Sequence, residues 1–305
     1  MADFYFRNWI HDLLLKNYLL FKQVATHISY LFIKRFLTWD VRNAAETVDF
    51  IVANKCSVSR FGDGEFYIMW REVNSPFQKI DESLALRLEE VLNSRLSNHI
   101  VCIPYYFVNN NGYIKDTERF IEYFTVFHYK RLAASLKRDR TYYDTNFTRF
   151  YFDFKDKSSC GKKIENIRRI WDNRDLFIIE GESTRFGCNN DILNNARSVH
   201  RILCPSKNAF DRYDEILEAA KIIPESALIL CALGMTATVL AYDLSMLGKQ
   251  AIDIGHLDVE YEWYKMGTLA KCAIPGKAVN EAGYQIVDSI IIDKEYSASI
   301  IKVIV

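Results

Sequence analysis

"ALILCALGMTATVLAYDLSMLGKQAIDIGH", residues 227–256, reads as strand, helix, strand. The apolar runs 227–234 and 250–256 have strand length, and the stretch 236–249 between them is helical in pattern. A strand, a covering helix and a second strand predict parallel pairing through a right-handed crossover. Working outward, "DLFIIEGE" (175–182) and "SVHRILCP" (198–205) are further strands, and "AFDRYDEILEAAKII" (209–223) is a further helix. Upstream, "NAAETVDFIVANK" (43–55) has helical spacing and leads into the strand "CSVSRF" (56–61). "ESLALRLEEVLNSRL" (82–96) follows as a helix, "HIVCIPYYF" (99–107) as a strand and residues 114–136 as a long helix. Strand and helix in strict alternation predict an α/β fold, a Rossmann-like and mostly parallel sheet with helices on both faces. It spans residues 40–305 behind an N-terminal aromatic and basic helical extension, residues 1–39.

The chain has 305 residues, 50% hydrophobic and 26% charged, enough for one large α/β domain or two smaller ones. Lys plus Arg and Asp plus Glu number 39 each, so no global field recruits nucleic acid. A small anionic ligand stays open. The seven cysteines, at 56, 102, 160, 188, 204, 231 and 272, form no CxxC pair and read as reduced core residues of a cytoplasmic protein. No Gly-, Ser- or Pro-rich linker divides the chain, and no internal repeat occurs.

The extension is dense in Leu and aromatics, with Arg7, Lys16, Lys22, Lys34 and Arg35 against Asp3 and Asp12. Its charges recur too often to leave an uninterrupted membrane span of about 18 apolar residues. Two readings stand: a helix or helix pair packing on the body or on a second copy as a homodimer, and an interfacial helix. In the second, Trp9, Tyr18 and Tyr30 sit at headgroup depth while lysines meet anionic lipid, a peripheral contact at the inner face of the membrane.

Ligands of such sheets bind where the strands end in loops. Five candidate strands end in polar groups. These are Arg60 to Glu65; Glu180, Glu182, Ser183 and Arg185; Ser206 and Lys207; Gly234 and Thr236; and His256, Asp258, Glu260 and Glu262. Within "SRFGDGEF" (59–66), Asp63 and Glu65 stand between and beside Gly62 and Gly64, a concentration of negative charge that calls for a positive partner. In an extended turn the two acids share a side; in a helix they diverge by about 200°.

"SRFGDGEF" resembles the signature of the GT-D type glycosyltransferases, in which an Asp-X-Glu pair takes the place of the commoner Asp-X-Asp. The similarity continues in "IIEGESTRFGCNNDILNNARSVHRILCPSKNAFDRYDEIL" and "LGMTATVLAYDLSMLGKQAIDIGHLDVEYEW", and covers roughly residues 43–270. The resemblance implies transfer of a hexose, glucose or a related sugar, from a UDP-sugar to an acceptor hydroxyl. The acceptor would be a glycan, a glycoprotein or a lipid-linked glycan, in bacterial surface glycan or glycoprotein synthesis. It also implies a divalent cation, Mn²⁺ or Mg²⁺, on Asp63 and Glu65, which would neutralise the leaving diphosphate. Gly62 and Gly64 would let backbone approach the diphosphate.

Arg60 has two readings, a fork for phosphate oxygens and a salt bridge to Asp63 or Glu65. Gly234 and Thr236 open a helix whose N-terminus favours an anion, or are ordinary caps. His256 and Asp258 are the candidates for proton transfer or acceptor orientation, and Glu182, with Glu180, for contact to sugar hydroxyls or acceptor. The aromatic run 141–154 offers stacking platforms or core. A different class of function, a non-catalytic nucleotide-sugar-binding scaffold of a polysaccharide assembly complex, would keep the fold without needing the acids.

Overall fold

The computed structural model describes residues 2–283 and 293–304, with side chains from residue 15 onward apart from those same gaps. In chain order it runs α1 (Ala2–Ile33), β1 (Asp40–Val41), α2 (Ala44–Asn54), β2 (Ser57–Arg60), α3 (Asp63–Met69), α4 (Glu82–Asn93), β3 (His99–Ile103) and α5 (Lys115–Ser135). There follow β4 (Thr141–Asp144), α6 (Cys160–Arg168), β5 (Asp175–Gly181), β6 (Ser198–Cys204), α7 (Tyr213–Lys221), β7 (Leu228–Ala232), α8 (Met235–Met246), β8 (Gln250–Asp253), α9 (Leu257–Met266), α10 (Lys294–Ser299) and β9 (Ile300–Val303).

The chain divides into two compact units, Met1–Asp40 with Tyr106–Arg140, and Val41–Tyr105 with Thr141–Val305. The extension is thus one continuous helix, and it shares its unit with α5 instead of standing alone. Inside that unit Trp39 meets Phe107 edge-on, His27 pairs with Glu122 at 2.8 Å, and the Lys22 ammonium lies 5.6 Å from the Tyr123 ring centre. Tyr30 is 2% exposed, so it packs inward and cannot take the headgroup position expected of it, whereas Tyr18 faces solvent. The side chain of Trp9 lies outside the described residues.

The second unit holds the sheet, in the order β1-β4-β3-β2-β8-β7-β5-β6-β9. β2 through β9 pair in parallel, as the alternation predicts. Alternate residues of each strand feed opposite cores, the period-two logic of a sheet covered on both faces. Leu228 and Leu230 join Ile51, Ile164 and Trp263 on one face. Ile229 and Cys231 join Ile216, Leu240 and Leu244 on the other. Helix starts follow local chemistry: Asn43 and Glu46 form a reciprocal capping box at α2, and Asp81 caps α4 through Leu84 N–H.

The alternation is not strict. Between β5 and β6 the chain makes a series of turns and no helix, with Arg185, Gly187 and Asn189 at positive φ. The aromatic run 141–154 is mostly core: Tyr142, Phe147, Phe150 and Tyr151 are buried. All seven cysteines are free thiols, six of them buried.

Candidate active site

β2 and β8 are neighbours whose chains leave in opposite directions, β2 toward β3 and β8 toward the β9 edge. Such a divergence opens a crevice at the strand tips. There Arg60 closes β2 and Asp253 closes β8, 193 residues apart in sequence. The Arg60 Nε donates to Asp253 Oδ1 at 3.3 Å, and its Nη1 donates to the Thr145 carbonyl at 3.0 Å and to the Thr148 hydroxyl. Thr238, on α8, donates to the second Asp253 oxygen at 3.1 Å and lies as close to the Arg60 carbonyl, stitching both tips to the helix. The predicted salt bridge from Arg60 to Asp63 or Glu65 is replaced by this one to Asp253. Gly255 follows at φ +51, and a Cβ there would come 1.8 Å from Arg60 Nη2. The guanidinium lies flat against that glycine.

α3 starts directly after β2, so Asp63 and Glu65 occupy its first turn and diverge. Asp63 is exposed. Glu65 turns back, and its Oε2 accepts the Gly62 N–H at 2.8 Å. Burial, then the neighbouring Asp253 charge, push the Glu65 carboxyl up to about 7 against the opposing pull of the Gly62 N–H and Arg60. Burial also raises Asp253, with Arg60 opposing. Asp144, at the tip of β4, is raised to about 6 by burial and accepts from Tyr105 and Asn146 N–H. Asp253 and Asp144 sat inside runs that read as strand and as aromatic platform. Only the three-dimensional register brings them to the tips.

Three further tips complete the picture. A Cβ on Gly64 would come 2.5 Å from Met235 Cε, so α3 runs against the side chain that opens α8. Gly234, at φ +55, lies under the Phe77 ring, which would meet a Cβ at 2.2 Å. Two residues on, the Thr236 hydroxyl is fully buried with no hydrogen-bond partner. Glu182 is exposed beyond β5, two strand spacings or about 10 Å from the line of β8.

His256 and Asp258, adjacent in sequence, part company. The His256 Nδ1 lies 3.0 Å from Glu281 Oε2, and Arg149 pairs with the other oxygen of Glu281. Burial would push Glu281 up, yet Arg149 and His256 hold it well below the usual carboxylate range. Such a carboxylate only accepts, so the Nδ1 is the donor and the Nε2 the basic nitrogen. Asp258 is turned into the protein: it accepts from Gly187 N–H and Asn190, and Lys277 Nζ reaches it at 2.6 Å. Both partners of that ion pair are 3% exposed, a structural tie and not an acceptor-facing base. Glu260 accepts from Tyr151 and Phe152 N–H, Glu262 meets Lys277, and Glu180 is buried against Arg201 and Tyr296. Glu281, Arg149 and Lys277 escape a reading of the sequence because their partners lie fifteen or more residues away in unrelated segments.

The donor set fits a divalent cation of one kind. Among the described residues no three His, Cys, Asp or Glu side chains gather into a protein cage. A hard cation that keeps waters and takes one or two carboxylates plus ligand phosphates needs no such cage. Glu65 beside Asp253, with Asp63 on the same helical turn, supplies that much.

The chain matches the family model "Glycosyltransferase GT-D fold" over residues 58–282. It is 35% identical over 268 residues to "Glycosyltransferase GlyD" of Streptococcus pneumoniae serotype 4, covering 86% of this chain and 32% of that protein. It is 36% identical over 246 residues to "Probable glycosyl transferase Gly" of Streptococcus gordonii, covering 78% and 35%. The chain therefore spans about a third of the length of these curated relatives. Two solved structures share the fold. One, described as "The highly conserved domain of unknown function 1792 has a distinct glycosyltransferase fold", superposes with TM-score 0.84 at 35% identity over 91% of this chain and all of that one. The other, "A New Glycosyltransferase (DUF1792) from Streptococcus sanguinis", gives 0.81 at 31% identity over 88% of this chain and all of that one.

Proposed function

Since the chain belongs to the GT-D glycosyltransferase family, we propose that it moves a hexose from a UDP-sugar to an acceptor hydroxyl with the help of Mn²⁺ or Mg²⁺. The observation that carries this reading is the crowding of Glu65 and Asp253, two carboxyls raised by burial, at one strand tip beside Asp63. Burial leaves both carboxyls costly to ionise even with Arg60 beside them, a cost that a cation held there would relieve.

Asp63 and Glu65 would hold the cation, one directly and the other through water because the helix turns them apart, and the bound cation would supply charge neutralisation to the departing diphosphate. Asp253 fixes Arg60 in one orientation, so that its guanidinium enters the site prearranged and not as a mobile surface arginine. The α8 N-terminus, with the orphaned Thr236 hydroxyl beneath it, suits phosphate oxygens beside Phe77. Glu281 holds His256 with Nε2 as base, an arrangement suited to taking the proton of an acceptor hydroxyl. The acceptor class, whether glycan, glycoprotein or lipid-linked, and a place in surface-glycan synthesis on the cytoplasmic side belong to this proposal. The all-thiol cysteines support that side.

UDP release from UDP-sugars with Mn²⁺ tests the reading. We expect turnover in the wild type, silenced by EDTA and restored by Mn²⁺. Asp63→Ala and Glu65→Ala should fold but not turn over, and His256→Ala should lose about 100-fold or more in kcat. Unchanged turnover in both acid variants would remove the cation from the mechanism. No release with any common nucleotide sugar would favour the scaffold.

A further inference from the structure

We propose that the first unit docks on an anionic lipid surface through the outward face of α1. This helix presents side chains on two opposite sides, with Lys16 and Lys22 between them. Tyr30, Gln23, Thr26 and Ile33 turn one way, toward partial or full burial, while Phe21, Val24, Ile28 and Phe32 point the other way and stand at 73, 50, 62 and 62% exposure. An outward face this apolar needs a cover of its own. No helix among the described residues is long and apolar enough to cross a membrane, so the face lies against a surface and does not traverse it.

Charge selects the cover. Residues 13–39 contain no Asp or Glu, yet carry Lys16, Lys22, Lys34 and Arg35, all exposed. On a helical projection Lys16 falls on one border of the apolar face and Lys22 on the other, with Lys34 and Arg35 in the turn that follows the helix, as expected where cations meet headgroups and apolar side chains go deeper. Over the whole unit, twelve Lys and Arg oppose seven Asp and Glu, a surplus of five positive charges in a chain whose totals are 39 and 39. A second copy docked along residues 13–39 of each chain would bring two acid-free basic stretches together. A leaflet of anionic lipid brings the opposite charge, with each nearby cation strengthening binding several-fold.

Co-sedimentation of the full chain with vesicles tests this, using phosphatidylcholine alone and phosphatidylcholine mixed with phosphatidylglycerol. Binding is expected only to the mixed vesicles and to weaken with added salt. Lys16→Gln with Arg35→Gln should weaken it by about tenfold or more, since each cation contributes about fivefold. Phe21→Ser with Ile28→Ser changes only exposed side chains and should abolish binding while leaving the thermal melt unchanged. Two results would overturn the proposal. One is failure to bind mixed vesicles, with or without a dimer in sedimentation equilibrium. The other is binding indifferent to phosphatidylglycerol and to both double variants. Sugar transfer plays no part in the readout, so its outcome is independent of the catalytic reading.

Discussion

Removing the Asp253 carboxylate leaves Arg60, 16% exposed, without its ionic partner. Breaking such a pair from one side costs about 3 kcal/mol, so Asp253→Ala should lower the urea unfolding free energy by about that much. A change within about 0.5 kcal/mol would show that the Thr145 carbonyl and Thr148 suffice to hold the guanidinium. Glu65 gives a pH signature. Its carboxyl titrates near 7 when folded against an ordinary 4.5, so between those values the folded chain keeps a proton that the unfolded chain has released. Stability without metal should therefore fall as pH rises through that window, by at most about 1.4 kcal/mol per pH unit for this one group. Asp144 adds the same sign between 3.8 and about 6. Glu65→Gln should flatten the upper part of the curve; melting temperatures from pH 4.5 to 7.5 would show it, and an unchanged slope would place the raised group elsewhere. Of these residues the sequence displays Asp63, Glu65 and Arg60 openly, because a polar cluster between glycines stands out. Asp253 stays hidden: one acid in "QAIDIGH" looks like a strand residue until its partner 193 positions away is known.

At the scale of elements, the two helices that start beside the site are spaced by one glycine. Gly64→Ala would press a methyl to 2.5 Å from Met235 Cε, which must swing aside at the tips of β2 and β7. We expect a loss of about 1 kcal/mol, the low end for an overpacked core because the Met235 side chain can rotate, and partial recovery in Gly64→Ala with Met235→Ala. Strict additivity of the two changes in denaturant titrations would mean the contact is unimportant. The strands that build this region, β2, β3, β5, β6, β7 and β8, are legible as short apolar runs because both faces are buried. β1, β4 and β9 are not. β1 has two residues, β4 carries the polar and aromatic alternation of Thr141–Asp144, and β9 is half exposed with Lys302 in its middle. The edge strands β1 and β9, and β4 next to the edge, are buried on fewer sides and lack the continuous apolar signal. The turn series between β5 and β6 also defeats alternation, since it fills a crossover's place with Arg185, Gly187 and Asn189 at positive φ and no helical period.

For the molecule as a whole, the neutral total conceals a separation. The unit built on the sheet holds 27 Lys and Arg against 32 Asp and Glu, the complement of the basic helical unit. A diphosphate approaching the β2–β8 crevice thus meets a net negative body with Asp63, Glu65 and Asp253 foremost, which makes a cation the natural intermediary. Calorimetric titration of UDP into the full chain, with Mn²⁺ and after its removal, measures that dependence directly. The account predicts binding with Mn²⁺ that is lost on its removal and weakened by about tenfold or more in Glu65→Gln. Equal UDP affinity with and without the cation, or in wild type and Glu65→Gln alike, would contradict it.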